Sequence, residues 1–305
     1  MSKSSGPAAA PMVARAGERA RGPDFLCIGA QKGGTQWLYD QLVPHPGFWT
    51  LPIKELHHFD RPGSRIPKAR RLYFKALQDL EGLNVSLVAH NKAPLQSRDV
   101  DFLRDFVNLG DQVHIEGYAK LFNQRGDQLC GDITPAYSGL DERPVEEIAA
   151  RFPDLKVVYI ARNPVDRFWS SFNMRRRRKK VRRMPTAKDV RAFSKRDGVI
   201  RRSYPSVTVS RWRKVIPPER FGLFFFDDLA ADAAAVRTRV LEFLGASSDL
   251  GEGIAASYNR KEKQRKVSMD AKTRALVASI YAKELEACAE VLGGPAVDWA
   301  RKDLP

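Results

Sequence analysis

The chain has 305 residues, of which 43% are hydrophobic, and a formal net charge of +16 with a pI near 9.9. That length supports one large core, and the excess of basic residues predicts an acidic ligand or partner. No apolar run approaches the ~20 residues of a membrane-spanning helix, and none has the length expected in a signal peptide. The three cysteines lack the spacing of a metal site. We therefore expect a soluble, cytoplasmic protein with cysteines in its core.

The chain is expected to consist of a tail and one domain. Residues 1–23 are rich in Ala, Ser, Gly, Pro and Arg and have no apolar periodicity, which predicts a disordered basic tail. Across residues 24–305 apolar runs alternate with helical patterns, which predicts an α/β fold with a mainly parallel central sheet flanked by helices. The predicted strands are 25–29, 128–133, 156–161 and 221–226. The predicted helices are 36–42, 69–80, 144–152, 164–174, 204–215, 230–244 and 270–292.

A glycine-rich turn, Gly29–Thr35, follows the first predicted strand and contains a single lysine, Lys32. Thr35 opens the next helix, whose first N–H groups lack intrahelical partners and carry the positive end of the helix dipole. The pattern predicts a P-loop-like phosphate-binding turn. A Walker A loop has its lysine after the last glycine, and Gln31 stands where a dinucleotide fold has its second glycine. The spacing therefore disfavours an ordinary ATP, GTP or dinucleotide site.

A second anion site is predicted where the third strand ends. Arg162 follows the apolar run at 157–161, and a helix begins at Pro164. Ligands of open parallel sheets bind beyond the carboxyl ends of the strands, and a guanidinium forms strong bidentate bonds with phosphate. Ser170 lies about two turns along the helix. Arg162 and Ser170 are therefore predicted to form a second phosphate clamp.

Four blocks in this order resemble the PAPS-dependent sulfotransferases, which use 3′-phosphoadenosine-5′-phosphosulfate. The first is I-G-x-x-K-G-G-T at 28–35, and the last is R-N-P-V-D-R-x-x-S at 162–170. Between them, K-E-L-H-H-F-D at 54–60 and D-I-T-P-A-Y at 132–137 are similar to segments of the heparan-sulfate-type branch and its bacterial relatives. The resemblance extends from Phe25 to the carboxyl terminus.

The resemblance implies a complete set of donor contacts. Lys32 would bind the 5′-phosphosulfate and stabilise the leaving phosphate, while Arg162 and Ser170 would bind the 3′-phosphate. Gln36 stands where many relatives have a second threonine, and a basic loop at 258–269 would close over the nucleotide. The implied cofactor-binding residues are Lys32, Gly33, Gly34, Thr35, Gln36, Arg162, Ser170, Arg265 and Lys266.

The catalytic base is left open between a carboxylate and two imidazoles. Glu55 corresponds to the glutamate assigned as base in the heparan-sulfate-type branch, whereas His57 and His58 have the better ordinary pKa for that work. The predicted catalytic residues are Lys32, Glu55 and His57, and the predicted substrate-side residues are Glu55, His58, Thr134, Tyr137 and Tyr204. No metal is expected.

The function implied is in-line transfer of a sulfuryl group from PAPS to a hydroxyl or amine of a carbohydrate or other small acceptor. Ile133 replaces a lysine of the heparan-sulfate-type enzymes, so the acceptor is not inherited from that branch. The basic run at 175–183 favours an acidic glycan, although a solvated helix face has the same composition. Two alternatives stay open: a P-loop-like kinase, and a nucleic-acid or membrane module with a vestigial cleft. Nucleic acid is disfavoured because aromatics do not interleave with the basic run.

Overall fold

The structure, a computed structural model, describes residues 20–90, 92–250 and 267–304. Within these residues four strands form one sheet: β1 (Phe25–Gly29), β2 (Gly131–Ile133), β3 (Lys156–Ala161) and β4 (Phe221–Phe225). Every neighbouring pair is parallel, and the order across the sheet is β2-β1-β3-β4. The bounds of β1 and β3 are those predicted, while β2 begins later and β4 ends one residue earlier.

Helices surround this sheet. In the described part of the chain they are α1 (Thr35–Leu42), α2 (Ile66–Gln78), α3 (Leu80–Ala89), α4 (Ser97–Asn108), α5 (Ile115–Lys120), α6 (Glu142–Arg151), α7 (Pro164–Arg178), α8 (Ala187–Ser194), α9 (Asp197–Ile200), α10 (Pro205–Arg213), α11 (Phe226–Ala231), α12 (Ala233–Leu244), α13 (Ala271–Ile280), α14 (Ala282–Leu292) and α15 (Ala296–Asp303).

Two helices predicted as continuous are each divided in the structure. The predicted helix 230–244 is divided at Asp232, whose side chain accepts a hydrogen bond from the N–H of Ala235 and so caps α12 as a separate helix. The predicted helix 270–292 is divided at Tyr281, between α13 and α14. This second break has no side-chain cap, and the N–H of Tyr281 bonds back to the carbonyls of Val277 and Ala278.

Both faces of the sheet are buried, because alternate residues of a strand point to opposite sides. Leu26 and Ile28 of β1 belong to one hydrophobic cluster, and Phe25 and Cys27 belong to the other. Helices α1 and α12 cover the second cluster, while α4, α7, α10 and α14 pack in the first. Near-continuous apolar strands with helices on both faces are the usual arrangement of parallel sheets. The predicted single-domain α/β fold is confirmed.

The strand order places a crevice between β1 and β3. The chain leaves β1 towards β2 on one side, whereas it leaves β3 towards β4 on the other. Connections that diverge in this way open a gap beyond the carboxyl ends of the two strands, and this gap is where open α/β sheets bind ligands. The turn after β1 and Arg162 after β3 both lie at this position.

Residues 20–23 of the predicted tail lie against the domain. Arg125 donates a hydrogen bond to the carbonyl of Gly22, and Arg151 donates one to the carbonyl of Ala20 at 2.6 Å. The earlier residues of that tail lie outside the described part of the chain. No helix among the described residues is long and apolar enough to cross a membrane.

Candidate functional site

The turn between β1 and α1 is shaped by close packing of its backbone. A Cβ on Gly33 would lie 2.5 Å from a carbonyl oxygen of β3, and Gly34 has φ +111°, which favours glycine. Lys32 also lies in the left-handed region, with φ 73°. Helix α1 begins at Thr35 with no side-chain cap and no acidic residue in its first turn. Its first amides are therefore suited to bind an anion.

Arg162 joins the end of β3 to this turn. Its Nη1 donates a 2.6 Å hydrogen bond to the carbonyl oxygen of Lys32, and its guanidinium stacks 4.1 Å from the ring centroid of Phe226. Its buried Nε has no hydrogen-bond partner among the described residues. Burial lowers the pKa of Arg162, opposed by the charges of Asp166 and Asp227, but an arginine remains protonated. Arg162 thus joins the ends of β1 and β3 and retains one buried donor, Nε, that no described residue satisfies.

Helix α7 extends the same side of the site. Asn163 caps it by accepting a hydrogen bond from the N–H of Val165 at 2.8 Å. The half-buried Ser170 lies about 9 Å along the helix axis from its start, and no contact joins it to Arg162 among the described residues. The backbone of Val267 is held on α7 by Trp169 and Asn173, with donor–acceptor distances of 2.9 and 3.1 Å to its carbonyl. The predicted cofactor contacts Arg265 and Lys266 lie just before this point, outside the described residues.

The segment 54–60 forms a tight turn around a carboxylate–imidazole pair. Glu55 and His57 both have left-handed backbones, with φ 59° and 57°, a conformation that is uncommon outside glycine and clusters at functional sites. Oε2 of Glu55 lies 3.3 Å from Nε2 of His57 and accepts a 3.1 Å hydrogen bond from Arg65. Nδ1 of His57 lies 2.8 Å from Oδ1 of Asp60. The turn thus aligns Glu55, His57 and Asp60 in one chain of contacts.

These contacts shift the two ionisable groups in opposite directions. Burial by itself would raise the pKa of Glu55, but the hydrogen bond from His57 and the charges of Lys54 and Arg65 outweigh it and lower that pKa. Burial by itself would lower the pKa of His57, but hydrogen bonds to Asp60 and Glu55 outweigh it and raise that pKa. Near neutral pH Glu55 is therefore ionised, and these two hydrogen bonds favour the protonated form of His57, opposed by Arg61, whose Nη2 lies 2.8 Å from Nε2 of the ring.

Lys54 connects this turn to the phosphate-binding turn. Its Nζ donates hydrogen bonds to Oε1 of Gln36 at 2.8 Å and to the carbonyl of Thr35 at 3.3 Å. The ammonium also lies 5.0 Å from the ring centroid of Tyr39. The side chain of Gln36, predicted as a cofactor contact, is thus engaged by Lys54, and its Nε2 donates to a carboxylate oxygen of Asp40. Glu55 is the residue directly after Lys54 in the chain.

A buried carboxylate anchors the turn to β2. Asp132 accepts hydrogen bonds from the hydroxyls of Thr134 at 2.6 Å, Tyr137 at 2.8 Å and Tyr118 at 3.2 Å, and from the N–H of Leu56 at 3.4 Å. Burial raises the pKa of Asp132, and it outweighs these hydrogen bonds, which by themselves would lower that pKa. Thr134 and Tyr137, predicted on the substrate side, are both 0% exposed. Their hydroxyls are committed to this network, so they hold the turn in place from beneath.

His58 is likewise packed inside the protein. It is 2% exposed, its ring stacks on Tyr118, and its Nε2 accepts a 3.1 Å hydrogen bond from the N–H of His114. Burial lowers its pKa to about 4. Its backbone N–H donates to the hydroxyl of Tyr137 at 3.0 Å. The neutral imidazole of His58 therefore serves as a buried acceptor, and His57 is the histidine that meets Glu55.

The remaining predicted residues lie at the edges of the site. Tyr204 is half-buried and packs its ring 6.1 Å from that of Tyr281. Two acidic residues in the first turn of α11, just after β4, are engaged elsewhere, since Asp227 accepts from the indole of Trp299 and Asp228 pairs with Arg239. Among residues 20–90, 92–250 and 267–304, no group of three or more His, Cys, Asp or Glu is placed to hold a metal ion.

Three partners of the site were not singled out in the sequence. Asp60 lies three residues after His57 within the 54–60 block, so its spacing could have indicated it. Arg65 contacts Glu55 only because the chain turns back between them, which no local pattern predicts. Asp132 was noted as part of a motif, but its role as the anchor depends on three hydroxyls that meet only in the fold.

Solved structures with the same fold are sulfotransferases. A sulfotransferase from Alicyclobacillus acidocaldarius has a TM-score of 0.60 and 20% identity, covering 91% of this chain and 98% of that one. The sulfotransferase domain of the Synechococcus PCC 7002 olefin synthase has a TM-score of 0.53 and 19% identity, and the match covers 95% of this chain and 98% of that one. The sulfotransferase domain of the curacin biosynthetic pathway has a TM-score of 0.50 and 14% identity, and the match covers 85% of this chain and 97% of that one. No curated protein sequence matches the chain significantly.

Residues 23–249 match the model of the sulfotransferase family. This stretch is well over half of the 305-residue chain and contains both segments predicted to bind phosphate and the 54–60 turn. Family and fold together support sulfuryl transfer as the chemistry of the site, and they favour neither the kinase nor the vestigial-cleft alternative. The chain belongs to the sulfotransferase family.

Proposed function

We propose that the protein transfers a sulfuryl group from PAPS to a hydroxyl or amine of a carbohydrate or other small acceptor. The observation that carries the proposal is the hydrogen bond from Arg162 to the carbonyl of Lys32. It joins two segments, 130 residues apart, that we propose to bind phosphate, and this arrangement suits a nucleotide with phosphates at both its 5′ and 3′ positions. A donor with a single phosphate chain has no use for the second segment.

The residues present fit such a donor. Gly33 packs its backbone against β3 too closely for a Cβ, which fixes the turn, and the uncapped start of α1 suits a phosphate. On the other side, the buried Nε of Arg162 lacks a partner among the described residues, and such a donor is costly unless it is hydrogen-bonded. An anion between the two segments would satisfy both.

Each donor-side residue has a distinct task. When bound, PAPS supplies the sulfuryl group and leaves as the 3′,5′-bisphosphate. Lys32 would hold the bridging oxygen and stabilise the charge that develops there, and the amides of Gly33, Gly34 and Thr35 would bind the 5′-phosphate. Arg162 and Ser170 would bind the 3′-phosphate, with Arg265 and Lys266 as further proposed contacts. Gln36 would contribute its backbone, since its side chain holds Lys54.

Glu55 is the proposed base. It is ionised near neutral pH because its pKa is lowered, and its carboxylate would accept the acceptor's proton as the nucleophile attacks. Hydrogen bonds to Asp60 and Glu55 raise the pKa of His57, which favours its protonated form, and in that form it would orient Glu55 rather than act as the base. The ring nitrogen of His58 is buried and already bonded. These states favour Glu55 over both histidines.

Binding of the product nucleotide tests the proposal without knowledge of the acceptor. We expect calorimetric titration with 3′-phosphoadenosine-5′-phosphate to give binding without magnesium, and tighter binding than with ATP. Lys32→Ala and Arg162→Ala should each weaken binding at least tenfold, because a charge-assisted bond is worth about 1.5–3 kcal/mol. Arg143→Ala is the matched control, since this exposed arginine on α6 pairs with Glu147 and with no other described residue. The proposal is wrong if wild type does not bind, or if both site variants bind as wild type does.

A further inference from the structure

Helix α3 has apolar residues on both its inner and its outer side, yet none of its residues is fully buried. Its inner side packs against the core through Leu80, Leu83 and Leu87. On its outer side Val85 and Val88 are each more than half exposed. A helix that is apolar all round is normally covered by protein or lipid. The outer side of α3 therefore lacks a cover among the described residues.

Helix α2 carries a second pair of exposed apolar side chains. It packs against α3 and is joined to it by Asp79 alone. Phe74 and Leu77, in the last turns of α2, are each more than half exposed, and their spacing of three residues places them on one side of the helix. Exposed apolar residues are ordinary when they occur singly, whereas a group of them marks an interaction site. We call the group of four, Phe74, Leu77, Val85 and Val88, the α2–α3 surface.

Exposed basic side chains accompany these apolar ones. On α2 they stand between and beside Phe74 and Leu77, and after α3 the backbone N–H of Lys92 bonds to the carbonyl of Leu87 at 2.9 Å. The cations are Lys68, Arg70, Arg71, Lys75 and Lys92. No ion pair joins any of the five to another residue in the described part of the chain. The α2–α3 surface thus combines apolar side chains with positive charge.

Nearby carboxylates do not cancel this charge. Helices α2 and α3 and the segment that leads to α4 contain the five cations but only two carboxylates, Asp79 and Glu81. Asp79 is the N-cap of α3, where its side chain accepts a backbone N–H. On the neighbouring α4, the two partly exposed carboxylates, Asp101 and Asp105, both pair with Arg104. A net positive charge therefore remains at the α2–α3 surface.

The sign of this charge limits what can cover the surface. A two-fold dimer through it would bring two copies of the same cations together. The segments of the chain outside the described residues, 1–19 and 251–266, also contain more Lys and Arg than Asp and Glu. Because like charges repel, neither a second copy nor these segments match the surface. An anionic partner with an apolar layer matches both of its properties.

We propose that the α2–α3 surface docks on an anionic lipid membrane. Apolar side chains of such a surface enter the boundary between headgroups and acyl chains, and long basic side chains keep their charges among the headgroups. An acidic protein would need a carboxylate fixed opposite each of the five cations. Mobile anionic lipids meet these cations wherever they lie, so a lipid surface is the better match.

Docking in this way places the membrane beside the site. Helix α2 begins directly after Arg65, whose guanidinium donates a 3.1 Å hydrogen bond to Glu55 in the 54–60 turn, the Glu55 turn. Phe74 lies nine residues beyond Arg65, which is about 13 Å along the helix axis. The docking does not depend on the proposed function, so failure of either proposal leaves the other standing.

Co-sedimentation of the full chain with lipid vesicles tests the docking. At physiological ionic strength we expect vesicles of phosphatidylcholine with about a third phosphatidylserine to bind at least about tenfold more tightly than pure phosphatidylcholine. Phe74→Ser with Leu77→Ser, and Val85→Ser with Val88→Ser, should each weaken this binding at least about tenfold, because apolar area is lost. Arg71→Gln with Lys75→Gln should also weaken it about tenfold.

The segment 178–184 offers matched controls. It is more basic than the α2–α3 surface and also exposes two apolar side chains, Val181 and Met184. Val181→Ser with Met184→Ser removes the same kind of side chain from another place, and Arg178→Gln with Lys179→Gln removes the same charge. Both controls should bind anionic vesicles within about twofold of wild type.

Four results would overturn the docking. Wild type shows no preference for anionic vesicles, both apolar double variants bind as wild type does, or the controls lose as much binding as the α2–α3 variants. The fourth is a dimer of the wild type in sedimentation velocity without vesicles that Phe74→Ser with Leu77→Ser disrupts, since a second copy then covers the surface. The variants replace exposed residues, so their midpoints in urea should match wild type. If an apolar variant unfolds, Arg71→Gln with Lys75→Gln still decides the question.

Discussion

Tyr137→Phe tests whether the buried network around Asp132 holds the Glu55 turn. The Tyr137 hydroxyl donates to Asp132 at 2.8 Å and accepts from the N–H of His58 at 3.0 Å. Removal of the hydroxyl takes one hydrogen-bond donor from the buried Asp132, a bond worth about 1.5–3 kcal/mol. It also leaves the buried N–H of His58 without an acceptor, at a cost of about 1–3 kcal/mol. Because the phenyl ring still fills the site, no cavity term is added, and we expect a loss of about 3 kcal/mol in the free energy of unfolding.

Urea denaturation at neutral pH measures this loss as a lower midpoint with an unchanged slope. Tyr73→Phe is the control, since Tyr73 is only half-buried and packs at the periphery of the core, so its variant should stay within about 0.5 kcal/mol of wild type. A loss below about 1 kcal/mol for Tyr137→Phe would refute the claim that this hydroxyl supports both Asp132 and the turn.

Three further predictions concern the reaction. Glu55→Gln should lower the rate of sulfuryl transfer about 10²–10⁴-fold with unchanged affinity for the product nucleotide, and an equal loss of nucleotide binding would contradict its role as base. The rate should not rise between pH 5.5 and 6.5, because the pKa of Glu55 is lowered from its ordinary value of about 4.3 and the carboxylate is already ionised there. Above pH 6.5 the rate should fall as His57, whose pKa is raised, loses its proton. A rise in rate near pH 6.5 would instead indicate a histidine base. Gly33→Ala should abolish nucleotide binding in calorimetry, since its Cβ would lie 2.5 Å from a backbone oxygen, and retained affinity would show that the turn is not the phosphate cradle.

The parts that the sequence predicted well are those fixed by local rules. The strands β1 and β3 are short apolar runs bounded by turn residues, and their bounds are those predicted. The rule that ligands bind beyond strand ends then placed Lys32 and Arg162 at one crevice, and their hydrogen bond shows that the two segments meet. Local patterning sufficed there because each segment is positioned by the strand that precedes it.

The acceptor side was less predictable because it depends on contacts between distant segments. The sequence offered His58, Thr134 and Tyr137 as substrate-side residues, yet all three are buried and bonded within the protein. Polar residues in a motif that resembles a site can serve either to contact a ligand or to hold the residue that does. Only burial and partners distinguish these roles, and neither is encoded in spacing.

The site draws on three adjacent strands, and this explains why a buried carboxylate matters to it. The phosphate-binding turn follows β1 and Arg162 follows β3, so both are placed directly by the sheet. The Glu55 turn follows no strand of the sheet, and its two backbone links to the sheet's neighbourhood run from Leu56 to Asp132 and from His58 to Tyr137. Asp132 belongs to β2, the strand beside β1. The turn that carries the proposed base is therefore held by β2 as well as by the contacts of Lys54 with Thr35 and Gln36. A change at Asp132 should reduce catalysis through Glu55 while nucleotide binding, which the proposal assigns to the segments after β1 and β3, persists.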